Sequence, residues 1–583
     1  MIMAKIDNIA KQNAEQWLSS KAIDQNTKDI INDMMANDID QFNESFYRHL
    51  EFGTGGLRGI MGIGTNRMNQ YTIAMATQGF VNYIIKSNPN KEIETVISFD
   101  NRNNSKEFAL ITARVMAANG FKVNLFKELR PTPILSFAVR HLNCDAGVMV
   151  TASHNPKEYN GYKAYWNDGG QLVSPHDDLV IEEVIKIIDY SQVKLQDTNS
   201  NITIIDNTFD NIYFEELVKL SLNPNVIKKH SDIKICYTPL HGTGITMVPK
   251  ALELFGFNNI NIVKEQAIVD GNFPTCKSPN PEEQSAMELG LKLAREIDAD
   301  VLLATDPDAD RVGIAVKDQT GNFILINGNQ TATVLTYYIL KQLNQQGKLK
   351  GNEYTIKTIV TSELVRKISE SFGVKNYDVF TGFKFIADRI LSLEGKEKYI
   401  CGGEESYGFS IGDFVRDKDA ISSCCLIAEI CAWAKEQGKT FFDILLDIYL
   451  EYGFFKEDLL SITIKGKSGA EEIQEMMRSF RENPPKTLIG LEVVKIKDYQ
   501  KQITKDIKTK EEETLEFPKS NVLQFFLDDG SKISVRPSGT EPKIKFYFGV
   551  FNKLNSIKEF PELSEKAEAK IQAIIKELGL NKR

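Results

Sequence analysis

A repeated strand–helix–strand order is the feature that most limits the folds open to this chain. "TVISF" (95–99) and "KVNLF" (122–126) are short, apolar and β-branched, as strands are. Between them "SKEFALITARVMAANG" is amphipathic at helical spacing, and Gly120 stands where such a helix closes. "AGVMV" (146–150) is a further strand. This order predicts a mostly parallel sheet covered by helices. The rhythm restarts at "DIKICYTPL" (232–240) and continues through "NINIV" (259–263) to "DADVLLAT" (298–305). It begins a third time at "TIKTIVTSELVRKI" (355–368) and ends at "KYICGG" (398–403). The last part differs, with a polar stretch at "EEETLEF" (511–517) and strands at "NVLQFFL" (521–527) and "KIKFYFGV" (543–550). A chain of 583 residues exceeds a single core. The expectation is therefore an α/β protein of three similar mixed-sheet domains, 1–205, 206–325 and 326–456, followed by an α+β domain, 457–583.

Composition narrows the class. Hydrophobic content of 42% with 26% charged residues is that of a globular protein. A net charge of −9 argues against a nucleic-acid partner, but small anionic substrates need only local positive charge. The seven cysteines are odd in number and contain no Cys-x-x-Cys pair, which reads as reduced, buried thiols of a cytoplasmic protein. The opening "MIMAKIDNIAKQNAEQWL" has charges and amides where a signal peptide needs an apolar core. "ISSCCLIAEICAWA" is too short to span a membrane and is interrupted by Glu429, so no membrane segment is expected.

Four loops carry chemistry. In "LLATDPDADRVGIAV" (302–316) a strand ends, Asp306, Asp308 and Asp310 alternate, and a second strand follows Arg311. Three carboxylates on one tight loop repel each other unless a cation sits among them. A solvated acidic turn is the plain alternative. An EF-hand is excluded, because Arg311 and Lys317 stand where that loop needs Gly and Glu. All-oxygen ligation favours Mg²⁺ over Zn²⁺. In "VMVTASHNPKEYNGYK" (148–163), Ser153 stands where a strand runs out, at the rim where α/β active sites gather. Alone it reads as a turn residue; beside a metal-seeking loop it reads as a phosphoryl acceptor.

"CGGEESYG" (401–408) offers Glu404 and Ser406, an acceptor and a hydroxyl suited to sugar hydroxyls, or else a capped loop. "SVRPSGTEPKIKFY" (534–547) offers Arg536, Ser538, Gly539 and Thr540 as a phosphate cradle, or else a plain turn. The Gly-rich "FGTGGLRGIMG" (52–62) fits no nucleotide-binding pattern and reads better as a loop carrying Arg58 toward a phosphate. "TGFKF" (381–385) and "VRDKDA" (415–420) bring Lys384 and Lys418 to the third unit's rim, where either is by default a surface lysine.

Together these motifs resemble the α-D-phosphohexomutase superfamily. The order Thr-Ala-Ser-His-Asn-Pro, Asp-Pro-Asp-Ala-Asp-Arg, Gly-Glu-Glu-Ser, Arg-Pro-Ser-Gly-Thr spans nearly the whole chain. The stretch "NGYKAYWNDGGQLVSPHD" (160–177) is similar to the phosphopentomutase-like branch of that superfamily. The resemblance implies four domains around a central cleft and a mutase working through a phosphoserine. It implies Ser153 as that phosphoserine and a Mg²⁺ ligand, with Asp306, Asp308 and Asp310 as the other ligands. Arg58, His154, Lys163 and Arg311 would surround the phosphoryl group, and Lys418 would match a proposed general acid/base. Thr381, Glu404 and Ser406 would hold sugar hydroxyls, and Arg536, Ser538, Gly539 and Thr540 the non-reacting phosphate. The implied reaction interconverts glucose 1-phosphate and glucose 6-phosphate through a 1,6-bisphosphate, with glucose 1,6-bisphosphate as activator. A pentose or mannose phosphate as main substrate, or a Mg²⁺-dependent phosphatase, are the alternatives.

Overall fold

A computed structural model describes residues 5–53, 56–195, 200–464, 467–538 and 543–582. The chain divides into two compact units. The first comprises Met1–Gly328, Asn352–Ile356 and Gly382–Phe441; the second comprises Asn329–Gly351, Lys357–Thr381 and Phe442–Arg583.

In the first unit, β1 (Gly56–Ile60), β2 (Glu94–Phe99), β3 (Lys122–Phe126), β4 (Ala146–Val150), β5 (Tyr159–Trp166) and β6 (Ile202–Ile205) form one sheet in the order β1-β5-β4-β2-β3-β6. β4, β2, β3 and β6 run parallel, while β5 is antiparallel to β4 and to β1. The sheet is thus mixed as expected, parallel through its middle and antiparallel at one edge. The reason is loop length: the chain from Val150 to Tyr159 is too short for the crossover that parallel strands need. Helix Ser105–Ala118 runs between β2 and β3 as the pattern predicted, and Gly120, at φ 89°, supplies the left-handed residue beyond its end. β4 is buried at every residue, consistent with a strand covered on both faces.

A second sheet repeats the plan. β7 (Ile235–Thr238), β8 (Ile260–Ile262), β9 (Val301–Thr305), β10 (Val312–Lys317) and β11 (Phe323–Ile326) take the order β11-β10-β9-β7-β8. β7 is parallel to β8 and β9, whereas β9, β10 and β11 are antiparallel. The aspartate loop is thus the turn of a β9–β10 hairpin. The same unit holds a hairpin of Lys398–Gly403 with Phe409–Ile411, whose turn carries Glu404 and Ser406. Glu429, inside the apolar helix Ala420–Glu436, is fully buried. It is satisfied by Ser221 Oγ at 2.8 Å and by the backbone N–H groups of Leu222 and Asn223 at 2.9 Å each. Among the described residues no helix is long and apolar enough to cross a membrane. Three N-terminal helices, Asn8–Ser19, Gln25–Asn37 and Ile39–Phe46, form their own apolar cluster with Tyr71, an element the sequence reading did not assign.

The second unit is built on an antiparallel sheet. Its strands Phe454–Thr463, Lys543–Asn552, Lys532–Pro537, Leu523–Leu527 and Leu491–Asp498 lie in that order, accompanied by helices Lys467–Glu482 and Phe560–Glu577. This is the expected α+β character of the C-terminal part.

Candidate active site

The β4–β5 loop and the β9–β10 turn bring the serine and the aspartates together. Ser153 has φ 52°, a left-handed conformation that costs a non-glycine residue energy and marks functional loops. Its Oγ donates to Asp306 Oδ2 at 2.7 Å and lies 3.2 Å from His154 Nδ1. Close approach of β5 to the loop's start requires Gly161, since a Cβ there would lie 2.4 Å from Thr151 O.

The three aspartates are buried, and one ligand oxygen from each lies within 4.8 Å of the others. Asp306 Oδ1 accepts the backbone N–H groups of Asp310 (3.1 Å) and Arg311 (3.0 Å). Asp308 Oδ2 accepts from Lys163 Nζ at 2.8 Å and Thr132 Oγ1 at 2.8 Å. Asp310 Oδ2 is 3.2 Å from Lys163 Nζ and 3.1 Å from Lys418 Nζ. The Oδ1 atoms of Asp308 and Asp310 are buried and have no hydrogen-bond partner. A buried carboxylate oxygen without a hydrogen-bond partner is costly, and two on one acidic cluster fit a hard divalent cation.

The charges differ in how well they are supported. Burial, with the charges of Asp308 and Asp310, pushes the Asp306 carboxyl well above its usual range. Burial acts on Asp308 in the same direction, but Lys163 and Thr132 outweigh it and hold that carboxyl low. Lys163 and Lys418 are both held protonated, because their carboxylate neighbours outweigh the effect of burial. Burial lowers the His154 imidazole to about 2, with Arg311 and Arg58 adding to the effect, so the ring is neutral in ordinary buffers.

Other expected residues are brought to the same region. Arg311 NH1 pairs with Glu282 at 2.7 Å, and Arg311 forms an antiparallel bridge with Gly408 that ties the aspartate turn to the Glu404 hairpin. Glu404 is buried and accepts from the Gly382 backbone N–H at 2.7 Å; burial raises its carboxyl above the usual range. Ser406 is half-buried on the same turn. Lys418 lies across Gly408, where a Cβ would meet its side chain at 2.0 Å. Arg58, on β1, donates to Asn155 Oδ1 at 3.2 Å. Lys384 is not a free surface lysine: it pairs with Asp177 at 3.0 Å. Thr381, Arg536 and Ser538 belong to the second unit, and the Ser538 N–H donates to Lys543 O at 2.7 Å. Gly539 and Thr540 lie outside the described residues. Sequence reasoning missed Asp100, Arg102, Thr132, Thr151 and Glu282. Asp100 and Arg102 follow directly on the strand "TVISF", a position that by itself does not tell a site residue from an ordinary turn.

Three domain families match in chain order: phosphoglucomutase/phosphomannomutase alpha/beta/alpha domain I over residues 49–191, domain II over 211–321 and domain III over 327–452. The chain belongs to the phosphoglucomutase/phosphomannomutase family, within the α-D-phosphohexomutase superfamily. The phosphoglucomutase of Staphylococcus aureus strain MRSA252 is 38% identical over 538 residues, 92% of this chain and 94% of that protein. As a member of this family the protein is a phosphosugar mutase, an intramolecular phosphotransferase of the isomerase class. Solved structures agree in fold. A phosphomannomutase-like protein from Thermus thermophilus matches with a TM-score of 0.67 at 20% identity, over 91% of this chain and 99% of that one. The open form of the Paramecium phosphoglucomutase parafusin matches at 0.64 and 18%, over 91% and 96%.

Proposed function

We propose that this mutase interconverts α-D-glucose 1-phosphate and glucose 6-phosphate through a phosphoserine at Ser153 and a glucose 1,6-bisphosphate intermediate. The observation that carries the reading is the 2.7 Å contact of Ser153 Oγ with Asp306, in a cluster where two carboxylate oxygens that accept no hydrogen bond suit a cation. The identity to phosphoglucomutases supports glucose as the sugar. Asp306, Asp308 and Asp310, with the serine phosphate, would hold Mg²⁺, which when bound offsets charge on the phosphoryl oxygens.

The chain's own groups do the rest. A sugar hydroxyl attacks the phosphorus of phospho-Ser153; the new O–P bond forms as the Ser153 Oγ–P bond breaks, and overall the hydroxyl proton ends on Ser153 Oγ. Neutral His154, 3.2 Å from Ser153 Oγ, is within hydrogen-bonding reach of that oxygen and orients it. Lys163, Arg311, Lys418 and Arg58 supply positive charge near the transferring group. Glu404 and Ser406, with Thr381, are assigned the sugar hydroxyls, and Arg536, Ser538, Gly539 and Thr540 the second phosphate. The bisphosphate then reverses, and its other phosphate rephosphorylates Ser153. Glucose 1,6-bisphosphate in trace would prime the enzyme, the cytoplasm would be its compartment, and the domains would be 1–205, 206–325, 326–456 and 457–583.

The test compares initial rates on glucose 1-phosphate, mannose 1-phosphate and deoxyribose 1-phosphate, each with Mg²⁺ and trace glucose 1,6-bisphosphate. Fastest turnover of the glucose ester is expected; preference for the pentose overturns the substrate assignment. Ser153→Ala is expected to fold and to lose interconversion, and turnover in that variant overturns the phosphoserine.

A further inference from the structure

Both sides of the Ser153 backbone lead back to one buried ion pair. On the amide side, Ser153 N–H donates to Thr151 Oγ1 at 2.8 Å, and Thr151 Oγ1 donates to Asp100 Oδ2 at 2.6 Å. On the carbonyl side, Ser153 O accepts from Arg102 NH2 at 2.5 Å. Arg102 Nε stands 3.5 Å from Asp100 Oδ2, and Asp100 Oδ1 accepts from Arg102 N at 2.9 Å and Ser105 Oγ at 2.7 Å.

Arg102 does more than meet one carbonyl. Its NH2 also donates to Asn155 O, and its NH1 donates to Pro156 O at 2.9 Å and Tyr159 O at 3.0 Å. Four backbone carbonyls of one loop therefore converge on a single guanidinium that is only 3% exposed. A guanidinium has five N–H bonds. Four are spent on carbonyls; the fifth, on Nε, makes no hydrogen bond and lies 3.5 Å from Asp100 Oδ2, buried within the ion pair. The Phe273 ring, 5.1 Å from the guanidinium carbon, covers the group.

We infer that Arg102, braced by Asp100, is a positioning residue: it holds Ser153 in its left-handed conformation, so that Oγ keeps its place against Asp306 whether or not it carries a phosphoryl group. The inference rests on Ser153 being the phosphoserine. Without the clamp the loop relaxes toward an ordinary conformation and the phosphoryl group is misaligned with the sugar hydroxyl while remaining open to water. A misplacement on the order of 1 Å costs about 100-fold in rate. Lysine cannot substitute, since an ammonium has three N–H bonds and no planar fork.

The experiment uses the full chain as Arg102→Lys, with Thr151→Val as a second variant that cuts the clamp on the amide side and leaves the guanidinium in place. Each is phosphorylated with labelled glucose 1,6-bisphosphate. The partition of label between glucose 1-phosphate and water is then measured, together with kcat, KM and thermal unfolding. The expected result is a kcat reduced about 100-fold in Arg102→Lys, KM changed by less than about 3-fold, and a clear rise in the share of label lost to water in both variants. A lower unfolding temperature with wild-type kcat and partition means that Arg102 only stabilises the fold, and overturns the inference. Failure of Arg102→Lys to fold leaves Thr151→Val to decide it, wild-type partition there being the refuting result. Wild-type protein that takes up no label on Ser153 overturns the phosphoserine itself, a separate failure.

Discussion

Replacing Lys163 by methionine probes the aspartate cluster most directly. Lys163 Nζ touches Asp308 Oδ2 at 2.8 Å and Asp310 Oδ2 at 3.2 Å, and its side chain is 10% exposed. At such distances and an effective dielectric constant of about 20, each contact is worth roughly 5 kcal/mol before desolvation is subtracted. Burying the ammonium takes back much of that. Removing one partner of a buried pair, however, leaves the other charge uncompensated, at a net cost of about 3–5 kcal/mol. The same carboxylates are the proposed metal ligands, so Mg²⁺ offsets part of what the lysine supplied. The cost is therefore large in EDTA and smaller at saturating Mg²⁺, and by linkage the variant gains more stability from Mg²⁺ than wild type does. Thermal unfolding of both proteins, with and without the cation, gives the four midpoints needed. Mutase activity in Mg²⁺ falls as well. A destabilisation of equal size in EDTA and in Mg²⁺ would falsify the reasoning, because the lysine would then support the fold without sharing its carboxylates with a metal.

Two further substitutions test separate parts of the molecule. Glu457, in the second unit, has a buried Oε1 with no hydrogen-bond partner, and burial raises its carboxyl to about 7 from an unfolded value near 4.5. The folded state thus holds a proton that the unfolded state releases. The stabilisation is complete below pH 4.5 and is lost as pH rises through about 7, a loss of about 3 kcal/mol. Glu457→Gln is expected to flatten that slope in unfolding experiments between pH 5 and 8, and an unchanged slope assigns the pH dependence elsewhere. Glu282→Gln removes the charge that fixes Arg311 NH1 at 2.7 Å. A charge-assisted bond of about 1.5–3 kcal/mol is weakened, so kcat is expected to fall about 10-fold with KM nearly unchanged; a rise in KM alone would place Arg311 on the bound sugar phosphate instead.

What the sequence disclosed follows from how each residue is positioned. Ser153, the aspartate turn and Glu404 sit where strands run out, and a strand's end is visible as the point where apolar residues give way. Their roles were local enough to read. Lys163 is different: it lies inside β5, and nothing in "NGYKAYW" tells a sheet lysine from one reaching another strand's turn. Its partner Asp308 is 145 residues away in sequence. Arg102 and Asp100 were passed over for a related reason. Asp-x-Arg after a strand is ordinary turn composition, and only the fold shows four carbonyls arriving at one guanidinium. The sheets were expected to be mixed, but the strands that run antiparallel were not assigned, because the helical stretches set the rhythm and the two short loops that reverse the chain were read for their chemistry. Lys384, read as a surface side chain, is captured by Asp177 of another helix, again a pairing that sequence spacing does not show.

The distribution of charge explains why serine and aspartates belong to one device. Lys163 and Lys418 occupy the Oδ2 atoms of Asp308 and Asp310, whose Oδ1 atoms accept no hydrogen bond; Arg311 Nε lies 3.9 Å from that of Asp310. Asp306 makes no salt bridge among the described residues, and its carboxyl is the one pushed up. The lysines thus act on Asp308 and Asp310, while Arg311 acts on Asp306 without a salt bridge to it. A phosphoryl group on Ser153 brings close to two further negative charges to that oxygen, which now lies 2.7 Å from Asp306. Such a dianion facing the Asp306 carboxylate is repelled unless a cation lies between them. Phosphorylation of the serine and occupation of the aspartates are thus linked, each strengthening the other by the same factor. The lysines and arginines hold the cluster in the unphosphorylated enzyme, and the Oδ1 atoms of Asp308 and Asp310, which accept no hydrogen bond, are where the additional cation fits.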